Sequence, residues 1–163
     1  MAWGFLGTTT LVSTSDNCEI TGITSKKFIN VVFHGIPSGQ IDGYFRFNSD
    51  STTKYANRRS ENGNTDQTAV SQNKTFFTRG VTAYPTNSTF SVGYICDIDG
   101  EEKLYIAFCA TDGGTGASND PDRMEVVGKY VPSPSARITA INDFNSDSGD
   151  WAVDTNITAI GTD

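Results

Sequence analysis

Residues 89–111 read TFSVGYICDIDGEEKLYIAFCAT, and two features within them decide the fold. Apolar side chains occupy every second position through Phe90, Val92, Tyr94, Cys96 and Ile98, the period of a strand with one buried face. An Asp99-Gly100 pair separates that run from a second one, Lys103 to Thr111. Asp-Gly supplies the positive-φ positions of a tight hairpin turn, so the two runs are expected to lie antiparallel. Outward from this hairpin the same alternation returns, as in Ile29, Val31 and Phe33. Nowhere do apolar residues hold the i, i+3, i+4, i+7 spacing of an amphipathic helix.

Alternation bounded by turn residues predicts about ten or eleven short strands. They fall near 8–13, 18–23, 27–36, 41–48, 54–59, 74–78, 89–98, 103–111, 124–131, 137–144 and 156–160. Pro-Ser-Gly (37–39), Asn-Gly-Asn (62–64), Gly-Gly-Thr-Gly (113–116) and Ser-Gly-Asp (148–150) separate them. Each supplies the φ or the side-chain capping that turns require. Lys27–Ile36 is nearly continuous in apolar residues and reads as a central strand covered on both faces. Pro132 and Pro134 exclude a central strand, so 132–135 reads as a crossing between sheets. The expected architecture is all-β, a two-sheet antiparallel sandwich of jelly-roll type. Its 163 residues form one domain, with an apolar N-terminal arm over 1–7 and the sandwich over 8–163.

Ten Phe and six Tyr provide a core for a chain otherwise rich in Ser, Thr, Asn and Gly. The net charge of −7 argues against nucleic acid, whose phosphates call for clustered Lys and Arg. Lys26-Lys27 and Arg58-Arg59 read as ordinary surface charge. The N-terminus lacks the basic and apolar regions of a signal peptide, and no apolar run approaches the ~18 residues of a membrane helix. The expected place of folding is therefore a cytoplasm, with no membrane partner. The three N-x-S/T sequons at Asn73, Asn87 and Asn156 carry no weight there. Of three cysteines, Cys96 reads as a small buried hydrophobe, and Cys109 lies where it could approach Cys96 across the hairpin. Free thiols are favoured over a disulfide, since no dense cystine framework is present.

Candidates for chemistry are few. His34, the single histidine, sits in the best core strand and reads as a hydrogen-bonded residue tucked under a loop rather than as a base. One His and three scattered Cys give none of the paired spacings of a zinc site. Asp112, Asp120 and Asp122, and again Asp143, Asp147 and Asp150, stud two turn-rich loops, but neither has the spacing of a calcium loop. The Gly113–Gly116 run opens no helix and has no Lys after it, so it is no phosphate loop. A glycosidase needs two carboxylates facing each other across a cleft. Glu101 and Glu102 instead belong to a hairpin tip, and Glu125 alternates with Arg123 and Lys129 in a charge ladder. The expectation is no enzyme, no metal and no cofactor.

Two binding candidates remain. Tyr44, Arg46 and Asn48 alternate with Phe45 and Phe47 and would form a sugar-binding face if exposed; the favoured reading places Phe45 and Phe47 in the core and pairs Arg46 with a carboxylate. Trp3, Phe5 and Leu6 form an apolar cluster at a chain end, where fraying is the rule unless the cluster docks. It closes its own sheet edge or inserts into a neighbouring subunit.

Three stretches, GFLGTTTL (4–11), residues 26–63 from KKFINVV to RRSENG, and residues 123–161 from RMEVVGK to NITAIG, together resemble a family of small virion proteins of tailed bacteriophages. The features that carry the resemblance are His34-Gly35-Ile36, Arg46-Phe47-Asn48-x-Asp50, Tyr55-Ala56, Gly128-Lys129 and a closing Gly-Asp-aromatic…Ile…Gly. These are turn and core positions and imply a shared fold more than a shared role. The resemblance implies a capsid cement or decoration protein on the outside of the head shell, assembled in the host cytoplasm. Its partners would be the major capsid protein and further copies in a homotrimer at threefold positions. The alternative is a receptor-binding, carbohydrate-binding module of the tail or fibre, using loops 112–122 and 145–150 or the Tyr44/Arg46/Asn48 face.

Overall fold

A computed structural model describes residues 2–78, 87–114, 116–132 and 136–163. Alternation of apolar and polar residues gives strands throughout, with no helix among the described residues. The eleven strands are β1 (Gly4–Thr10), β2 (Asn17–Thr21), β3 (Phe28–Gly35), β4 (Gly43–Phe47), β5 (Tyr55–Glu61), β6 (Gln67–Gln72), β7 (Thr89–Cys96), β8 (Lys103–Thr111), β9 (Asp122–Tyr130), β10 (Ala140–Asn145) and β11 (Asn156–Thr162). Eight form one sheet in the order β1-β11-β3-β7-β8-β9-β5-β6, and three form a second, β2-β10-β4. Every ladder is antiparallel. The Asp99-Gly100 hairpin is as expected: β7 pairs with β8 from Thr89↔Thr111 to Cys96↔Leu104, and Gly100 has φ 75°.

One alternating set from each sheet fills the space between them. Ile29, Val31 and Phe33 of β3, Tyr105, Ala107 and Cys109 of β8, and Met124 and Val126 of β9 meet Cys18, Ile20, Phe45, Phe47 and Ile141 of the small sheet. The rings of Phe33 and Phe45 pack edge to face at 6.2 Å, and Phe45 stacks on Phe77 at 4.0 Å. Phe77 needs Gly93 beneath it: a Cβ there would lie 2.0 Å from the ring. Phe45 and Phe47 thus occupy the core, as their alternation predicts.

Several expectations are corrected by what stands opposite each strand. β3 is not covered on both faces: Phe28 and His34 are exposed on the side away from the small sheet, so His34 is not a tucked core residue. Cys96 and Cys109 point to opposite faces of the β7–β8 ladder. Cys96 pairs across to Leu104 and Cys109 to Ser91, and none of the three cysteines forms a disulfide. The boundary drawn after residue 7 falls inside β1, which hydrogen-bonds β11 from Gly4 onward. β6, QTAVSQ, was not predicted, because an exposed edge strand carries no apolar alternation. Residues 74–78 contribute only an isolated bridge, Phe45↔Thr75. The crossing at 132–135 lies mostly outside the described residues, although β9 and β10 do belong to different sheets.

Candidate functional site: the outer face of the large sheet

A strand's second alternating set is polar when its back face meets water. In β8, KLYIAFCAT, both sets are apolar. Tyr105, Ala107 and Cys109 take the core; Leu104, Ile106 and Phe108 are left pointing outward and about half exposed. The neighbouring strands repeat this. β7 presents Phe90, Val92 and Tyr94, β9 presents Val127, and β3 presents Phe28 and Val32. The registers align them in rows across the sheet: Asn30–Tyr94–Ile106–Val127, Val32–Val92–Phe108 and Phe28–Cys96–Leu104.

The N-terminal cluster divides between the two faces. Leu6 sits at a register shift between Phe5 and Gly7 and packs against the core, whereas Phe5 is 67% and Trp3 48% exposed. Trp3 closes one end of an apolar depression of about 340 Å3 lined with Phe28, Tyr94, Leu104 and Ile106. A second hollow of about 500 Å3 continues from Leu104 and Ile106 past Val127 to Val70 and Arg58. Among the described residues charge gathers at the β9–β5 side, apart from Lys27, whose ammonium lies 5.6 Å from the Phe28 ring centre. On that side Lys129 reaches Glu102 at 2.9 Å, Arg123 reaches Glu125 at 3.8 Å and Arg58 reaches Asp66 at 3.5 Å. This surface has no convergent set of acids and bases. It can bind apolar surface, and its outward-facing strand positions include one acid, Glu125, against three bases, Arg58, Arg123 and Lys129.

The other predicted residues are brought together but are already engaged. Tyr44 and Arg46 share the outer side of the small sheet. Tyr44 is buried between Phe76 and Phe144, its hydroxyl donates to Asp42 at 2.6 Å, and burial, with that bond, pushes its pKa up. The Arg46 guanidinium lies 4.0 Å from the Phe144 ring centre and its Nε donates to the Asn73 carbonyl, so its partner is an aromatic ring and not a carboxylate. Lys74 caps Tyr44, and Arg59 stacks on Phe76. Asn48, at φ 55°, accepts from the Thr139 and Ala140 amides and donates to the Arg137 carbonyl, tying β4 to the start of β10. At the end of β10, Asn145 accepts from the amides of Asp42 and Asp147 and donates back to the Asp147 and Gly149 carbonyls. Among the described residues no three of His, Cys, Asp and Glu gather as a metal site. The Cys18 thiol is pushed up to about 12 by burial and by nearby Asp143, which makes it a poor nucleophile.

Phe90, Val92, Tyr94, Cys96 and Ile98, expected on the buried face of their strand, point outward instead: the second sheet covers Ser91, Gly93 and Ile95, which leaves Phe90, Tyr94 and Ile98 exposed and Cys96 only half-buried. The signal for an outward apolar set was present in β8, whose two alternating sets are equally apolar. No protein-family model and no curated protein matches the sequence. Among solved structures, the outer membrane protein OprG from Pseudomonas aeruginosa aligns at 8% identity over 85% of this chain and 98% of that one, with a TM-score of 0.16. A likeness at that level carries no argument. Among the described residues no helix is long and apolar enough to cross a membrane, which leaves strands untested.

Proposed function

We propose that this chain is a non-enzymatic structural protein of a phage virion, a cement or decoration subunit bound to the outside of the head shell and assembled in the host cytoplasm. The observation that carries an assembling role is the apolar outer face of the large sheet. A monomer rarely exposes a contiguous apolar patch of more than a few hundred Å2, and larger ones mark interaction surfaces. The virion assignment rests on the sequence resemblance, and the major capsid protein is the partner it implies. The homotrimer it also implies rests on the shell's threefold positions and on nothing in this chain's own surface.

The same reading takes the sandwich as a jelly roll with two inserted hairpins. Its support is the nesting of pairs: β1 with β11, β2 with β10, β3 with β7, and β4 with the segment at Thr75. In chain order, without β5–β6 and β8–β9, these eight elements place first beside last and second beside second-last in alternate sheets. Two Greek keys folded together give that order.

Incubating the purified protein with emptied capsids, and counting copies in a low-resolution virion map, tests the role. Hundreds of copies on the head are expected. A dozen or fewer on the tail would favour the receptor-binding alternative, and absence from particles would end both.

A further inference from the structure

We infer that the outer face of the large sheet is covered by a second copy of this chain, through a twofold axis running parallel to the strands between β7 and β8. The inference rests on reading that face as a protein interface, and not on the virion assignment.

Area is the first argument. Nine outward apolar side chains, from Phe28 at 39% to Phe5 at 67% exposed, leave on the order of 900 Å2 of apolar surface, taking about 150–250 Å2 for a whole aromatic. A stable protein interface takes about 800 Å2 from each partner. One further copy supplies a matching area without any other component.

Symmetry is the second. β7 and β8 are fourth and fifth in the order of eight strands. A twofold axis between them lays β7 on the β8 of the other copy and β3 on its β9. Cross-strand neighbours then become contacts between copies. Tyr94 meets Ile106, and Val92 meets Phe108, since these pairs share a row. Phe28 falls over the Lys129 stem, because both lie in the row through Cys96 and Leu104. The pairing is sheet on sheet, the aligned arrangement by which β-sandwiches bury alternate residues.

Charge is the third. The chain carries −7, so two copies repel across most approaches. On this face Arg58, Arg123 and Lys129 are each matched by an acid, Asp66, Glu125 and Glu102, so the face is near neutral and the acidic excess of the chain lies elsewhere. Two copies can meet there with little like-charge cost.

Light scattering on size-exclusion fractions of the full chain, without capsids, tests this. The wild type is expected at twice the chain mass. Ile106→Glu and Phe108→Glu, both outward-facing, are each expected to raise the dissociation constant about thirtyfold or more, the loss of one anchor side chain. Their circular dichroism should match the wild type, and their melting should match that of the wild type diluted until its dimer dissociates. A wild-type monomer at about 100 µM, a scale far above ordinary interface affinities, overturns the inference, as does a trimer or any oligomer that survives both substitutions. A monomer that floats with lipid vesicles overturns it in favour of a lipid occupant. A monomer that still binds emptied capsids overturns it while leaving the proposed function intact.

Discussion

The Asp97 carboxylate lies 3.3 Å from the Lys103 ammonium, and both side chains are wholly buried at the base of the β7–β8 hairpin. Arg137 approaches the same carboxylate from the far side at 3.0 Å, and the Ile138 amide donates to it at 3.1 Å. Lys103 also donates to the Ile98 carbonyl, which closes the turn. One acid therefore joins the hairpin to the segment that leads into the small sheet. Two cations focused on it offset its desolvation.

Removing that acid should strand the buried ammonium. Asp97→Asn is expected to cost about 3–5 kcal/mol, read as a fall in the urea midpoint. A change below about 1 kcal/mol, the level of an exposed pair, would show that the pair is hydrated in solution.

Asp143 behaves in the opposite sense. It is fully buried on β10, and although the Thr78 hydroxyl donates to it at 3.0 Å, burial pushes its pKa well above the ordinary range. The native state then keeps a proton that the unfolded chain releases at about pH 4. Stability should fall as pH rises from there toward the native pKa, because the native state binds more protons across that window. Asp143→Asn is expected to flatten this dependence, with the gain largest at the neutral end. Parallel melting curves for both proteins between pH 4 and 7 would disprove the assignment.

Core packing sets a third expectation. Phe45→Ala and Phe47→Ala should each cost about 3–5 kcal/mol, and Gly93→Ala should destabilise by forcing Phe77 out of its place under β7. Wild-type melting in any of the three would mean that the inward and outward faces are assigned the wrong way round.

The N-terminal cluster separates into two roles that mutation can tell apart. Leu6→Ala should lower stability by about 1–2 kcal/mol, the value of a half-buried leucine. Phe5→Ala should leave melting nearly unchanged and weaken association instead. Deleting residues 1–6 as a block would remove both effects and part of β1, so only the single substitutions discriminate between fold and assembly.

Alternation carried much of this fold in the linear sequence. The β7–β8 hairpin, the absence of helices among the described residues and the inward placement of Phe45 and Phe47 all follow from period two and turn chemistry, which are local properties. β6 was silent because nothing buries it. Residues 74–78 alternate like a strand, yet they pair only at Thr75, since pairing depends on a neighbour and not on the segment itself.

What the sequence could not determine is which alternating set of a doubly apolar strand receives the second sheet. Ile106 and Ala107 are adjacent and both apolar. A three-stranded sheet stands over one of them and nothing among the described residues stands over the other. The same holds for Leu6 beside Phe5, where the register shift in β1 turns one side chain into the core and leaves its neighbour outside. Periodicity states that successive residues face opposite ways. Burial depends on what the folded chain brings to each side, and those contacts come from residues far away in sequence.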